Sequence, residues 1–278
     1  MPELPEVEII TRELARALVG KKLSKFSVFD AEKISRPRLA LPQRIISVRR
    51  HGKYIACDTD KGLRCLLHLR MTGKLLFKTR DKRTTEQSKL ATGQTRDKKE
   101  KSNRAEFSFL DGSLLKFLDT RRFGTVEWLK KEQPLPQLGP EPLSRNFDAR
   151  KLGELLHGRS RAIKSALLDQ RLIAGLGNIY ADESLWTAKI HPLRKSSTLK
   201  EAEIGRLTRS IKQVLRRAIK KGGFTLRDYR RIDGRLGSYQ HSRKVYARED
   251  EKCLRCRTKI RRIRISGRSS YFCPRCQK

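Results

Sequence analysis

Met1-Pro2-Glu3-Leu4-Pro5-Glu6-Val7-Glu8 opens the chain, and its reading governs how the rest is organised. Pro5 suits the first turn of a helix because the N–H it lacks has no partner there, while Glu6 and Glu8 complement the positive helix end. Val7, Ile10, Leu14 and Leu18 recur at helical spacing, which gives the helix an apolar face, and Gly20 stops it. Two residues ahead of that helix have a different chemistry. Removal of Met1 would leave Pro2 as a free secondary amine; an α-amino group ionises at roughly pH 8, so a sizeable fraction is a neutral nucleophile near neutrality. Attack by that nitrogen on a sugar C1′ gives an iminium directly. Glu3, next in sequence, has the chemistry of the accompanying proton donor.

The 278 residues suffice for two domains and a small appendage. Sixty-six Lys and Arg against 30 Asp and Glu leave a net charge of +36, an excess that points to a polyanion. Lysine and arginine release counterions when they neutralise phosphates, so nucleic acid is the expected partner, with steep salt dependence. No apolar run approaches the roughly 20 residues of a membrane span, and the amino terminus has no signal-like apolar stretch, so a reducing compartment is expected. Four of the six cysteines form two Cys-x-x-Cys pairs. Cys57 and Cys65 fall in apolar strand-like runs and read as small buried hydrophobes.

After the helix, short apolar runs at 44–49, 54–58, 63–69, 75–78, 107–110, 114–118 and 125–129 alternate with turn signals such as Asp60-Lys61-Gly62 and Asp111-Gly112. That pattern predicts a β-sandwich or barrel. Residues 79–104 are polar and basic without apolar period, and read as a mobile inserted loop. Four prolines between 130 and 142 mark a linker. Helices are expected next, with stripes at Ile163, Ala166 and Leu167 before Gly175-Leu176-Gly177, and at Ile179, Leu185 and Trp186 after it. Thr198 with Glu201 reads as the capping box of a long helix whose Ile204, Leu207, Ile211, Val214, Leu215 and Ala218 face a core. Residues 225–240 read as a polar surface loop.

Cys253-x-x-Cys256 and Cys273-x-x-Cys276 are separated by sixteen residues, a spacing that fits one tetrahedral four-thiolate zinc site. Four cysteines leave no open position, so the metal is expected to be structural. Lys259, Arg261, Arg262, Arg264 and Arg268 would hang cations from the intervening β-hairpin. Asn178, after Gly175-Leu176-Gly177, stands at a helix start where free N–H groups can hold a phosphate, although an ordinary capped helical hairpin has the same pattern. Met71 and Phe123 lie in strand-end turns beside arginines; apolar wedges that enter a base stack, plus an arginine for the vacated space, are what base extrusion requires.

The opening Pro-Glu-Leu-Pro-Glu-Val-Glu, Arg121-Arg122-Phe123-Gly124, the segment from Asp169-Gln170 to Ile190-His191-Pro192 and the terminal cysteine module together resemble the formamidopyrimidine-DNA glycosylase family over nearly the whole chain. The resemblance implies an α+β protein: a β-sandwich with an amino-terminal helix over residues 1–132, a linker at 133–143, a helix-two-turn-helix domain at 144–240 and a zinc finger at 241–278. Carried over by motif, Pro2 would form the Schiff base, Glu3 would donate a proton and Glu6 would support them. Lys53 and Arg268 match the residues for β- and δ-elimination; Met71, Arg121 and Phe123 match the trio that fills the gap left by the flipped base. Lys164 and Asn178 match phosphate clamps, and Arg159 another basic DNA contact. The loop at 225–239 lies where the family caps the extruded base. One departure stands out: the family's Lys-His-Asp-His stretch reads Lys101-Ser102-Asn103-Arg104 here, with Arg104 as the candidate replacement for its DNA-contacting histidine.

The activity so implied is a bacterial base-excision repair enzyme, a glycosylase and apurinic lyase acting on oxidised purines in duplex DNA. It would be a cytoplasmic, nucleoid-associated monomer with one zinc ion and no redox or nucleotide cofactor. Two alternatives remain open at this stage: an endonuclease VIII-like preference for oxidised pyrimidines, and a non-catalytic zinc-containing nucleic-acid-binding protein.

Overall fold

The structure, a computed structural model, describes residues 1–37, 40–79, 102–225 and 229–278. Most of the basic insertion expected at 79–104 therefore lies outside the described residues, as do positions 226–228 of the expected capping loop. The chain forms two compact units, the first comprising Met1–Pro2, Glu6–Leu135 and Thr225–Gly237, the second Glu3–Pro5, Pro136–Phe224 and Ser238–Lys278.

Helix α1 (Leu4–Leu18), which belongs to the first unit from Glu6 onward, is followed there by strands β1 (Lys22–Val28), β2 (Gln43–His51), β3 (Tyr54–Thr59), β4 (Leu63–His68), β5 (Lys74–Lys78), β6 (Asn103–Phe109), β7 (Leu114–Leu118) and β8 (Thr125–Lys130). All pair antiparallel in the order β5-β7-β6-β1-β2-β3-β4-β8. Strands β1 and β2 share only Lys22↔Arg44 and Leu23↔Gln43, so the sheet divides there into two four-stranded halves, the expected sandwich. Its core joins Val7, Ile10, Leu14 and Leu18 of α1 to Ile55, Leu67, Leu75, Phe107 and Phe117 from the strands. Strand β1 escaped the sequence reading because Lys-Leu-Ser-Lys-Phe-Ser-Val has too few apolar positions to stand out. Cys57 and Cys65 face each other across β3 and β4, both buried, and burial pushes both thiols up, Cys57 to about 12.

Tyr229 and Ile232 belong to this same core, and the Ile232 carbonyl accepts the N–H of Phe77 at 3.0 Å. The reading of 225–240 as a purely polar loop missed these anchors. Two apolar residues among arginines give no periodic signal.

The second unit holds α2 (Ala149–Leu156), α3 (Ile163–Leu168), α4 (Asn178–Ala188), α5 (Glu201–Lys220) and a hairpin of β9 (Arg261–Ile265) and β10 (Arg268–Phe272). Leu207, Ile211, Leu215 and Ala218 of α5 pack against Leu167, Leu176, Tyr180, Ala181 and Leu185. The expected Thr198–Glu201 box does not form. Thr198 closes a short 3-10 turn, and the Glu203 carboxylate caps α5 by accepting the Lys200 N–H at 2.9 Å. Ser266 and Gly267, both at positive φ, make the two-residue turn between β9 and β10 that antiparallel twist favours.

Candidate active site and nucleic-acid interface

In the second unit, α4 begins at Asn178 with Gly177 as its extended cap residue, which has no side chain to offer. The cap comes from Glu3, whose carboxylate accepts the N–H groups of Ile179 at 3.0 Å and Tyr180 at 3.4 Å. A carboxylate on a helix start is stabilised by the exposed N–H groups and the helix dipole. Gly177 permits the approach, since a Cβ there would overlap the Glu3 carboxyl; Gly175 likewise leaves room for Leu4, whose N–H bonds the Gly175 carbonyl at 3.0 Å. The Gly-Leu-Gly-Asn motif is therefore shaped around residues 3 and 4. Asn178 does not cap its own helix: its Nδ2 donates to the Ser269 carbonyl at 3.0 Å.

Lys164, at 0% exposure, donates to the same carbonyl at 2.9 Å and lies 2.7 Å from Asp182. Asp182 is buried too and accepts the Tyr271 N–H at 3.0 Å. Burial pushes its carboxyl up to about 7 against the pull of the Lys164 ammonium, and burial lowers Lys164 in turn. Glu183, beside it, accepts the N–H groups of Lys244, Val245 and Tyr246 at 2.8 to 3.0 Å, which ties the chain leading into the cysteine module to α4. Lys164, Asn178 and β10 thus converge on Ser269, next to the exposed Arg268. Arg159 is also exposed. The sequence reading passed over Asp182 and Glu183; the signal was two consecutive acids inside an otherwise apolar helix.

Cys253, Cys256, Cys273 and Cys276 bring their sulfur atoms within 4.8 Å of one another. The Cys253–Cys276 and Cys256–Cys273 sulfurs are 4.0 and 3.4 Å apart. Zinc–sulfur bonds of about 2.3 Å in a tetrahedron put sulfurs roughly 3.8 Å apart, so the four thiolates fit zinc. Trp186, Val245, Ile260 and the buried cysteines pack around the module. Lys259, Arg261, Arg262, Arg264 and Arg268 are all exposed on the hairpin.

In the first unit, Pro2 and Glu6 are buried at the start of α1. Lys53, 7% exposed, stands in the turn between β2 and β3. His68, buried against Tyr54 with ring centres 4.6 Å apart, accepts the Arg70 N–H at Nδ1, 3.0 Å away. Burial, then the charges of Arg70 and Lys53, lower its pKa to about 3, so the ring is neutral. Met71 and Phe123 are exposed, at 44% and 42%, and the Arg121 guanidinium lies over the Phe123 ring at 5.0 Å. An exposed apolar side chain at each turn is what a stack-entering wedge needs. Arg104 departs from its expected place at the surface. Its exposure is 0%, and its guanidinium pairs with Asp30 at 3.1 Å and Asp119 at 4.0 Å and donates to the Glu32 carbonyl.

Comparison with known proteins matches three family models along the chain: the Formamidopyrimidine-DNA glycosylase N-terminal domain over residues 1–126, the Formamidopyrimidine-DNA glycosylase H2TH domain over 138–230, and the zinc finger found in FPG and IleRS over 250–278. The formamidopyrimidine-DNA glycosylase of Desulforamulus reducens is 40% identical, with 100% of this chain and 99% of that protein covered. That of Listeria monocytogenes is 38% identical, with both fully covered. Among solved structures, the MutM (Fpg) protein of Thermus thermophilus superposes with a TM-score of 0.86 at 36% identity, covering 99% of this chain and 98% of that one. The Lactococcus lactis Fpg solved with abasic-site DNA gives 0.85 at 35% identity, covering 99% of each. The α+β fold, the single structural zinc held by four cysteines and the enzyme class follow, and the chain belongs to the formamidopyrimidine-DNA glycosylase family of DNA repair enzymes.

Proposed function

We propose that the chain is a bifunctional glycosylase and apurinic lyase that removes oxidised purines, 8-oxoguanine and formamidopyrimidines, from duplex DNA. The observation that carries this is Glu3 seated on the start of α4, directly after Pro2 in sequence. Pro2 nitrogen attacks C1′ as the base departs; the Glu3 carboxylate takes the proton shed by the attacking amine and passes it to the ring oxygen as the sugar opens to the iminium, and Glu6 supports the pair. The iminium acidifies C2′–H. Loss of that proton expels the 3′ phosphate, with Lys53 serving this β-elimination, and a second elimination on the 5′ side is served by Arg268. Asn178 and Arg159 act on the DNA backbone; Lys164, expected from the sequence as a phosphate clamp, is fully buried against Asp182 and bears on the backbone only by holding the Ser269 carbonyl beside Arg268. Met71, Arg121 and Phe123 fill the space left by the flipped nucleotide. Zinc holds the hairpin that carries Arg268 and takes no part in the chemistry.

The domain limits read from sequence are kept except at Thr225–Gly237, which packs with the first unit, and the 225–239 segment is assigned as the cap over the extruded base. A monomer in the bacterial cytoplasm, associated with the nucleoid through DNA, completes the reading. Related structures support the substrate class: a mutant of the Lactococcus lactis Fpg was solved with Fapy-dG DNA, and MutM with DNA containing carbocyclic 8-oxo-G. An oxidised-pyrimidine complex of the Lactococcus enzyme keeps the pyrimidine reading in play as a second activity. Against it as the main activity stand Leu4 and the intact Met71, Arg121 and Phe123 set. Single-turnover cleavage of 8-oxoguanine·cytosine and thymine glycol duplexes tests this. Faster cleavage of the purine lesion is expected, and the reverse order would replace the reading.

A further inference from the structure

Both wedge-bearing turns are held in an unfavourable backbone conformation. Arg70 (φ 50°) immediately precedes Met71, and Arg122 (φ 57°) immediately precedes Phe123. A residue with a Cβ resists this left-handed region, so such turns persist only where neighbouring structure over-determines them. The restraint is a shared carboxylate. Asp119, 1% exposed, accepts the N–H of Arg121 at 3.2 Å and of Gly124 at 2.7 Å, and takes the hydroxyl hydrogen bond of Thr72, the residue after Met71. Thr72 Oγ1 in turn accepts the Arg121 N–H at 3.3 Å. Gly73 and Gly124 fit against Leu69 and Phe117 only because they lack a Cβ.

The buried carboxylate needs a countercharge, and Arg104 supplies it. Its guanidinium is 4.0 Å from Asp119 and 3.1 Å from Asp30, and Asp30 reaches on to the Arg122 side chain at 3.1 Å. One buried cation therefore sits between two acids, the first gripping the backbone of the Phe123 turn and the Thr72 hydroxyl of the Met71 turn, the second gripping the Arg122 side chain. We propose that Arg104 is a positioning residue that fixes Met71 and Phe123 at the height needed to open the duplex, rather than a DNA contact. This rests on the wedge role assigned above to Met71 and Phe123. Removing the guanidinium leaves a desolvated carboxylate uncompensated, and the turns relax toward unstrained conformations in which the two apolar tips no longer project together.

The test uses full-length protein and a duplex carrying 8-oxoguanine beside 2-aminopurine, whose fluorescence rises when the stack opens. Arg104→Met is expected to lower the fluorescence amplitude and the single-turnover excision rate at least tenfold, leaving the slope of log affinity against log salt unchanged. Arg104→Lys should restore a large share of both. Met71→Ala should show the same two losses, and the Arg104→Met/Met71→Ala double variant should fall no more than about twofold further, because both changes act on one step. Should Arg104→Met fold poorly, Thr72→Val cuts the Met71 turn from Asp119 with Arg104 in place and should lose amplitude likewise. A salt slope reduced by about one makes Arg104 a phosphate contact and overturns the proposal. So does full amplitude in Arg104→Met or Thr72→Val while Met71→Ala loses it. Full amplitude in Met71→Ala itself fails the wedge assignment instead, and the proposal falls with it.

Discussion

The Glu3 carboxylate accepts the N–H of Ile179 at 3.0 Å across 176 residues of sequence, and the space for it exists only because residue 177 has no side chain. Gly177→Ala is therefore expected to displace Glu3 from the helix start and slow base excision at least tenfold, about 1.4 kcal/mol on the barrier. Circular dichroism should show the helices intact. An alanine variant with unchanged single-turnover excision would separate Glu3 from the chemistry.

Opposite signs of charge deep in the second unit give a stability prediction. Lys164→Met leaves Asp182 buried without its ammonium partner and should cost about 3 kcal/mol, whereas Lys164→Met with Asp182→Leu should recover most of it, because an ion pair already out of water gains little over apolar packing. Urea unfolding of both variants checks this. A double variant as unstable as the single one would point to a different role for Asp182.

Neutral His68 predicts a pH dependence. Its folded pKa of about 3 lies below the unfolded value of roughly 6.5, so between them the unfolded chain binds the proton that the folded chain refuses. The stabilisation is complete above the unfolded value and falls as pH drops. From pH 6.5 to 5 the loss is about 1.5 kcal/mol. His68→Gln should flatten that part of the unfolding profile relative to the parent; parallel profiles would assign the dependence elsewhere.

Removal of zinc should loosen the module in which Cys253 and Cys273 pack with Trp186, Val245 and Ile260. Metal analysis should give one zinc per chain, and the chelated protein should bind lesion duplex at least tenfold more weakly. Full affinity without metal would show the hairpin to be dispensable for binding.

Much of this was legible in the sequence because periodic or spaced residues carry it. The face of α1 at Val7, Ile10, Leu14 and Leu18, the buried stripe of α5 and the four cysteines all follow patterns that local geometry imposes. What the sequence concealed depends on distant partners. Nothing near Glu3 announces that it caps a helix starting at Asn178, and nothing near Asn178 says that its amide will serve Ser269 instead of its own helix. Arg104 shows the same limit most sharply, since an arginine in a basic chain reads as a surface cation until Asp30 and Asp119 appear beside it.

The central claim is that the bond to deoxyribose forms at the amino-terminal imino nitrogen. Borohydride reduction during reaction with 8-oxoguanine duplex, followed by proteolysis and mass mapping of the protein–DNA adduct, tests it most directly. The DNA should be found on Pro2, in protein from which Met1 has been removed; an adduct mapped to Lys53 or any other lysine would contradict it.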